Sequence, residues 1–365
     1  MFARLVTLAQ LVSLMLPINR VAPSYTADCG ALRSVTVTAL AQGAGPSLLV
    51  GTLEGQLYRR ADARSCWVRI HAYPRGVEIG TLVASPGFPH TVIAGASFKV
   101  TTASGGVKLY RSDDDGRTWR DGTTGLPRTP IVPVAVAVSA RGTLVLSYIC
   151  PQDQNVTTPR RPYGLARSVD GGRSWHSVGP AAGALTARGV VALNGGRLLA
   201  LQAPTGGTGM GVYYRSRDDG RTWRAVGQEP FALNDIASLA AIPWTATGVL
   251  AGYGLSFFRP QVYRSLDGGA HWARVWYPRS GGSILGGFVV SMIALPRTRA
   301  LLLTDSSSVY RSTDGGSTWT PTGVGLGGAG RIWTLYAATD RATAYAGAQG
   351  GLYRSADGGL TWQAL

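Results

Sequence analysis

Short apolar runs, each closed by a cluster of turn-forming residues, recur in groups of four from about residue 30 to the end of the chain. The sixth group shows the grammar: Phe288–Leu295 (FVVSMIAL), Ala300–Thr304 (ALLLT), Val309–Ser312 (VYRS) and a fourth run over Thr318–Thr322. Runs of this length predict strands, and no segment carries a helical period long enough to compete. The third run of each group ends in a turn of the form S-x-D-x-G-x-T-W. The clear copies are SDDDGRTW (112–119), SVDGGRSW (168–175), SRDDGRTW (216–223), SLDGGAHW (265–272), STDGGSTW (312–319) and SADGGLTW (355–362). A worn first copy, RADARSCW (60–67), keeps only Asp62 and Trp67.

The closing tryptophans are Trp67, Trp119, Trp175, Trp223, Trp272, Trp319 and Trp362, spaced 43 to 56 residues apart. That period, with four strands per unit, predicts an all-β fold: one seven-bladed β-propeller, four antiparallel strands per blade, the repeated turn between the third and fourth. The expected domain is 29–365, with blades near 29–71, 75–121, 128–179, 186–227, 234–277, 284–323 and 330–365, after a leader over 1–28.

The turn has a physical logic. The Ser hydroxyl and the carboxylate of Asp62, Asp114, Asp170, Asp218, Asp267, Asp314 or Asp357 accept backbone N–H bonds, and the second glycine takes a positive φ. The tryptophan then enters the sheet and buries its ring, so these seven tryptophans are expected to be structural. Arg59, Arg111, Arg167, Arg215, Arg264, Arg311 and Arg354 precede the turn in every unit. Repetition in every unit points to packing or hydrogen bonding between blades.

These residues resemble the Asp-box, or BNR, repeats of sialidases, sortilin-type receptors, xyloglucan hydrolases and the photosystem II assembly-factor family. A single ring of seven blades looks most like the assembly-factor type. The resemblance implies that the boxes lie on the periphery, away from any active site. For the xyloglucan hydrolases it implies a catalytic Asp before the first blade's third strand, where this chain has Leu53-Glu54-Gly55.

The chain carries 35 basic and 19 acidic residues, a formal charge of +16, and all but two of the basic residues (Lys99, Lys108) are arginine. This fits an anionic glycan or a protein partner. No recognition motif for nucleic acid accompanies the charge, whereas a membrane surface would suit it or an uncleaved leader. Residues 5–18 (LVTLAQLVSLMLPI) read as a signal peptide, with Ala22-Pro23-Ser24 offering cleavage after Ser24 and implying a secreted or cell-envelope protein. Cys29, Cys66 and Cys150 allow at most one internal disulfide. A Cys29–Cys66 bridge is disfavoured here, because the two positions are expected on opposite sides of blade one. No spare strand is expected to overlap at ring closure. No cofactor, no metal and a monomer are expected.

Topology places second-to-third-strand loops and blade-to-blade connections on the face opposite the boxes. Blades two to five are expected to carry long loops there: Ser97–Gly106, Ser147–Gly164, Gln202–Gly211 and Gly252–Gln261. An arginine stands at or just before the inner strand of six blades (Arg33, Arg75, Arg128, Arg188, Arg279, Arg331), with Asp235 in blade five. Converging guanidinium groups would bind carboxylate, sulfate or phosphate. The expected function is an extracytoplasmic binding or assembly scaffold using this loop face.

The alternative is a secreted glycoside hydrolase of sialidase or xyloglucan-hydrolase type acting on a polysaccharide. A retaining sialidase needs a Tyr–Glu nucleophile pair and an F/Y-R-I-P motif, yet the chain has three glutamates, Glu54, Glu78 and Glu229, and lacks the motif. An inverting enzyme needs two carboxyls roughly 6.5–9.5 Å apart. Glu54 and Asp235 are its candidate catalysts, among loop-face acids that include Glu78, Asp153, Glu229 and Asp305. GVGLGGAG (323–330) joins two strands, so it is no dinucleotide site. DDDG (113–116) lacks the twelfth-position Glu of a calcium loop. His71, His90, His176 and His271 are scattered, and Asn155-Val156-Thr157 is a glycosylation sequon.

Overall fold

In a computed structural model describing residues 27–72, 77–85, 87–98, 109–127, 131–149, 164–178, 186–203, 211–228, 236–255, 258–276 and 289–365, the apolar runs pair as antiparallel strands in seven sheets. Blade one is Val37–Gln42, Leu48–Thr52, Gln56–Arg60 and Trp67–Ala72; blade two is Val77–Ala84, Val92–Phe98, Leu109–Ser112 and Arg120–Asp121. Blade three is Val132–Val138, Leu144–Ile149, Gly164–Ser168 and His176–Val178; blade four is Thr186–Ala192, Leu198–Ala203, Val212–Ser216 and Arg224–Gln228. Blade five is Ile236–Ala241, Val249–Leu255, Phe258–Ser265 and Ala273–Trp276. Blade six is Ser291–Leu295, Ala300–Thr304, Val309–Ser312 and Thr320–Thr322; blade seven is Ile332–Ala337, Ala344–Ala348, Gly351–Ser355 and Gln363–Ala364. Each inner strand packs on the next, and that of blade seven on that of blade one, which closes the ring.

Second strands such as Leu48–Thr52 and Ala300–Thr304 are buried at every position. Neighbouring blades cover both their faces, which is why they read as continuous apolar runs rather than alternating ones. The core therefore lies between blades. Leu49 and Leu57 of blade one, for example, pack with Ile79, Leu82, Val92 and Ala94 of blade two.

The box turns fasten each blade to the one before it. In blade six, Ser312 Oγ donates to Asp314 and accepts from the Gly316 amide (2.9 Å), while Asp314 accepts from the Ser317 and Thr318 amides (both 2.9 Å) and the Thr318 hydroxyl (2.6 Å). Both central positions take a left-handed φ, 72° at Gly315 and 83° at Gly316. At the second of these a side chain would strike the preceding blade: a Cβ on Gly172 would sit 2.6 Å from Ile93, and one on Gly269 2.7 Å from Leu199. Pre-box arginines complete the joint. Arg111 Nε donates to Gly171 O (2.7 Å), Arg167 Nε to Asp219 O (2.7 Å), Arg215 Nη1 to Asp267 O (2.8 Å), Arg264 Nη1 to Gly315 O (3.1 Å) and Arg311 Nε to Gly358 O (3.0 Å). Each reaches the box of the next blade.

Partial burial alone would raise the box carboxyls, but the hydroxyl and amide donors outweigh it. They hold Asp170, Asp218, Asp267, Asp314 and Asp357 at about 2, below the ordinary 3.8. A carboxyl depressed on folding contributes stability above its unfolded pKa and loses it as the pH falls through the folded value. The melting temperature is therefore expected to be level down to about pH 5 and to drop steeply between about pH 4 and 2. Thermal melts across that window check it, and a level profile to pH 2 would remove the boxes as a source of stability.

Two expectations are corrected. Cys29 and Cys66 form a disulfide. Residues Ala27–Asp28 add a fifth strand to the outer edge of blade one, with Asp28 opposite Trp67, so the two cysteines meet on the same side of the blade. In blade five, the segment expected as a long loop from Gly252 to Gln261 is a hairpin, because both strands stay paired, across a register shift between Tyr253 and Leu255, as far as Leu255 and Phe258. In blades two, three and four the second strands run on to Phe98, Ile149 and Ala203, and the loops beyond lie outside the described residues. So do the leader over residues 1–26, Cys150, Asp153, Asn155 and Glu229.

Among the described residues no strand is exchanged at the seam between blades seven and one, and side chains close it. Leu32 is buried with Leu352, Trp67 and Val37, and its carbonyl lies against Gly351, which takes a φ of 121°. At the other end of the seam the Gln42 amide donates to the Tyr336 hydroxyl (2.9 Å), and Gln42 Oε1 accepts from the Thr339 amide (2.8 Å).

Candidate binding face

Over blades six, seven and one the turns and connectors of the loop face are described most fully. There the face is built from the turn 305–308, the glycine-rich connector 323–331, the turn at Gln349–Gly350 and the segment 29–36. These pieces are pinned to one another through the backbone. The Ile332 amide donates to Ser306 O (2.8 Å), Gln349 to Arg331 O (2.9 Å), Gly350 to Ala329 O (2.8 Å) and Leu53 to Thr36 O (3.0 Å). The connector follows this path because Gly323, Gly325 and Gly330 take φ of 112°, 97° and 65°. It holds a short bridge between Val324 and Thr361 and opens no helix.

Two of the expected arginines stand here, on either side of the Gln349–Gly351 turn. Arg331 follows Gly330, whose Cβ position faces the Gln349 side chain, and Arg33 follows Leu32, whose carbonyl touches Gly351. Both are exposed, and neither is ion-paired to another described residue. The Arg331 guanidinium lies 4.5 Å from the centre of the Trp333 ring. Trp333 was not singled out in the sequence, although it is one of three tryptophans outside the boxes, with Trp244 and Trp276. It sits at a β-bulge of the inner strand, between Ile332 and Thr334 in the register. Bulges re-aim the residue they carry. Its indole Nε1 is buried and donates to no acceptor.

The other expected positions are distributed differently. Arg188 occupies the corresponding bulge of blade four, between Ala187 and Gly189, so it sits two residues deeper into the strand than the position Arg331 holds. Arg75, Arg128, Arg279 and Asp235 lie outside the described residues. Glu54 is exposed in the turn between the second and third strands of blade one. Asp305 is engaged in its own turn, accepting from the Ser307 and Ser308 amides (3.0 and 2.8 Å) and the Tyr310 hydroxyl (3.3 Å). Glu78 is half-buried on the inner strand of blade two, opposite Ser97.

Among the described residues, no group of three or more His, Cys, Asp or Glu side chains is placed to hold a metal ion. The three aspartates of DDDG point three ways: Asp113 to Arg111, Asp114 to Thr118, and Asp115 to the Ala44 amide (2.9 Å) and His90 (2.7 Å). No described helix is long and apolar enough to cross a membrane.

No family model and no curated protein matches the chain. Solved structures do. A GH74 enzyme from Niastella koreensis superimposes with a TM-score of 0.62 at 16% identity, covering 92% of this chain and 55% of its own. YCF48 bound to a D1 peptide gives 0.57 at 13% identity over 88% of this chain and 93% of its own. The Hadza microbial sialidase Hz136 gives 0.51 at 17% identity over 86% and 73%. This chain spans about half the length of the GH74 enzyme. At such identities the likeness is one of fold.

Proposed function

We propose, from a propeller fold that hydrolases and a peptide-bound protein share, that this chain is a binding scaffold whose loop face takes an anionic ligand or the acidic segment of a protein. The observation that carries this reading is the cluster at the seam. Arg33 and Arg331 flank one turn without carboxylate partners among the described residues, and Arg331 lies over Trp333, whose buried N–H has no acceptor among them. Guanidinium forks beside it supply charge-assisted bonds to carboxylate, sulfate or phosphate.

Two of the described loop-face carboxylates, Glu54 and Asp305, favour binding over hydrolysis. A general acid holds its proton near neutral pH through burial or a like-charged neighbour. Glu54 is exposed, and Asp305 is tied into its turn. The Cys29–Cys66 bridge supports an oxidising, extracytoplasmic setting. Hydrolysis assays on xyloglucan and sialylated oligosaccharides are expected to show no turnover. Turnover abolished by Glu54→Gln or Asp235→Asn would replace this reading with that of a glycoside hydrolase.

A further inference from the structure

The box face has a chemistry that the loop-face reading leaves unused. The second and sixth positions of the box turns protrude, and at the sixth position blades two, three and four carry exposed Arg117, Arg173 and Arg221. Blades five, six and seven have Ala270, Ser317 and Leu360 there. Arg141, Arg217 and Arg224 are exposed on the same side of blades three and four. Opposing charge on this arc is scarce: the exposed carboxylates among its described residues are Asp113 and Asp121. Asp113 is bonded to Arg111 and lies 3.5 Å from Arg173. Asp114, Asp170 and Asp218 are held in their own turns, and Asp115 and Asp219 are buried.

An independent observation concerns apolar groups. The exposed large hydrophobic side chains of the described residues are Val169, Leu266, Val324 and Leu360, at 54%, 58%, 72% and 48% exposure. Val169 and Leu266 hold the second box position and Leu360 the sixth, while Val324 bridges to Thr361 beside it. Apolar tips thus project from the boxes of blades three, five and seven, on the side that carries the arginine arc. On the arc Trp175 and Trp223 are buried and Trp119 is half-buried with its indole bonded to Gly116 O, so the arc lacks the fully open aromatic platforms on which bases stack.

We propose that the box face is a docking surface for a bilayer containing anionic phospholipid. Arg117, Arg173 and Arg221 take the phosphates of the headgroups, and Val169 and Leu266 enter the interfacial layer. Turns that recur at the same level of each blade present charge and apolar tips toward one surface, and a bilayer interface engages both at once. A soluble polyanion engages the arginines alone. Docking this way turns the loop face away from the membrane, so the inference stands independently of any ligand bound there.

The test is co-sedimentation of the protein with vesicles of phosphatidylcholine alone and of phosphatidylcholine with phosphatidylglycerol. Binding is expected to require the anionic lipid and to weaken with salt. It should fall about fivefold per arginine, and roughly a hundredfold in Arg117→Gln/Arg173→Gln/Arg221→Gln. Val169→Asp/Leu266→Asp should also weaken it severalfold, while Arg33→Gln/Arg331→Gln, at the other face, should leave it within about twofold. All these side chains are exposed, and matching thermal melts establish that the variants fold. Absence of vesicle binding overturns the inference. So does equal loss from the loop-face pair, or tight binding to soluble polyphosphate with vesicle binding indifferent to Val169 and Leu266.

Discussion

Replacing Trp175 with alanine is expected to remove about 3–5 kcal/mol of stability, enough to unfold a substantial fraction of molecules at moderate denaturant. The ring is 1% exposed and packs among Ile93, Leu109, Leu126, Ile131, Leu144 and Leu146, a cluster shared by blades two and three. Its indole Nε1 donates to Gly122 O (2.9 Å) and its amide to Thr124 O (2.9 Å), both on the connector leaving blade two. Truncation therefore opens a cavity between two blades and strands a carbonyl at once. Trp319, partly exposed and bonded within its own turn to Gly316 O (3.1 Å), should lose less. Denaturant unfolding of the two variants checks the ranking, and equal losses would contradict the inter-blade role of Trp175.

Loss of the Cys29–Cys66 bridge is the second large effect. The bond closes a loop with a sequence separation of 37. Chain-entropy estimates for a loop of that size give about 4 kcal/mol, within a usual span of about 2–5. It also anchors the segment that delivers Leu32 to the seam, where no strand exchange among the described residues helps to close the ring. Reduction, or Cys29→Ser/Cys66→Ser, is expected to lower the melting temperature and to raise proteolysis near residues 27–36. Identical melts with and without reductant would show that the seam does not depend on the bridge.

The sequence disclosed the ring because its period is carried by residues that build turns and cores. Ser312, Asp314, Gly316 and Trp319 mark a blade whatever the protein does. Five of the seven pre-box arginines, Arg111, Arg167, Arg215, Arg264 and Arg311, are joints that were legible for the same reason, since a residue repeated in every unit answers to its neighbouring unit. The disulfide was not legible, because it depends on a two-residue edge strand at Ala27–Asp28 that has no repeat to mark it. The site was legible only in its chemistry. Counting from the inner strands suggested equivalent arginines, but a bulge gives Arg188 and Trp333 one position and leaves Arg331 just before it. Bulges follow backbone pairing, and nothing in a single chain's residue order announces them. The box face escaped notice because a turn read as structural at its Ser, Asp, Gly and Trp still has two free positions.

In the proposed function the loop face binds through arginine rather than cleaving through carboxylate. The measurement closest to it is calorimetric titration of the protein with an acidic peptide, hexaglutamate, at low and high salt, for the wild type and Arg33→Ala/Arg331→Ala. Binding that weakens with salt and falls at least about tenfold in the variant is predicted, since a charge-assisted bond contributes about 1.5–3 kcal/mol. Binding that is indifferent to both arginines, in a protein that hydrolyses polysaccharide until Glu54→Gln or Asp235→Asn is introduced, would contradict it.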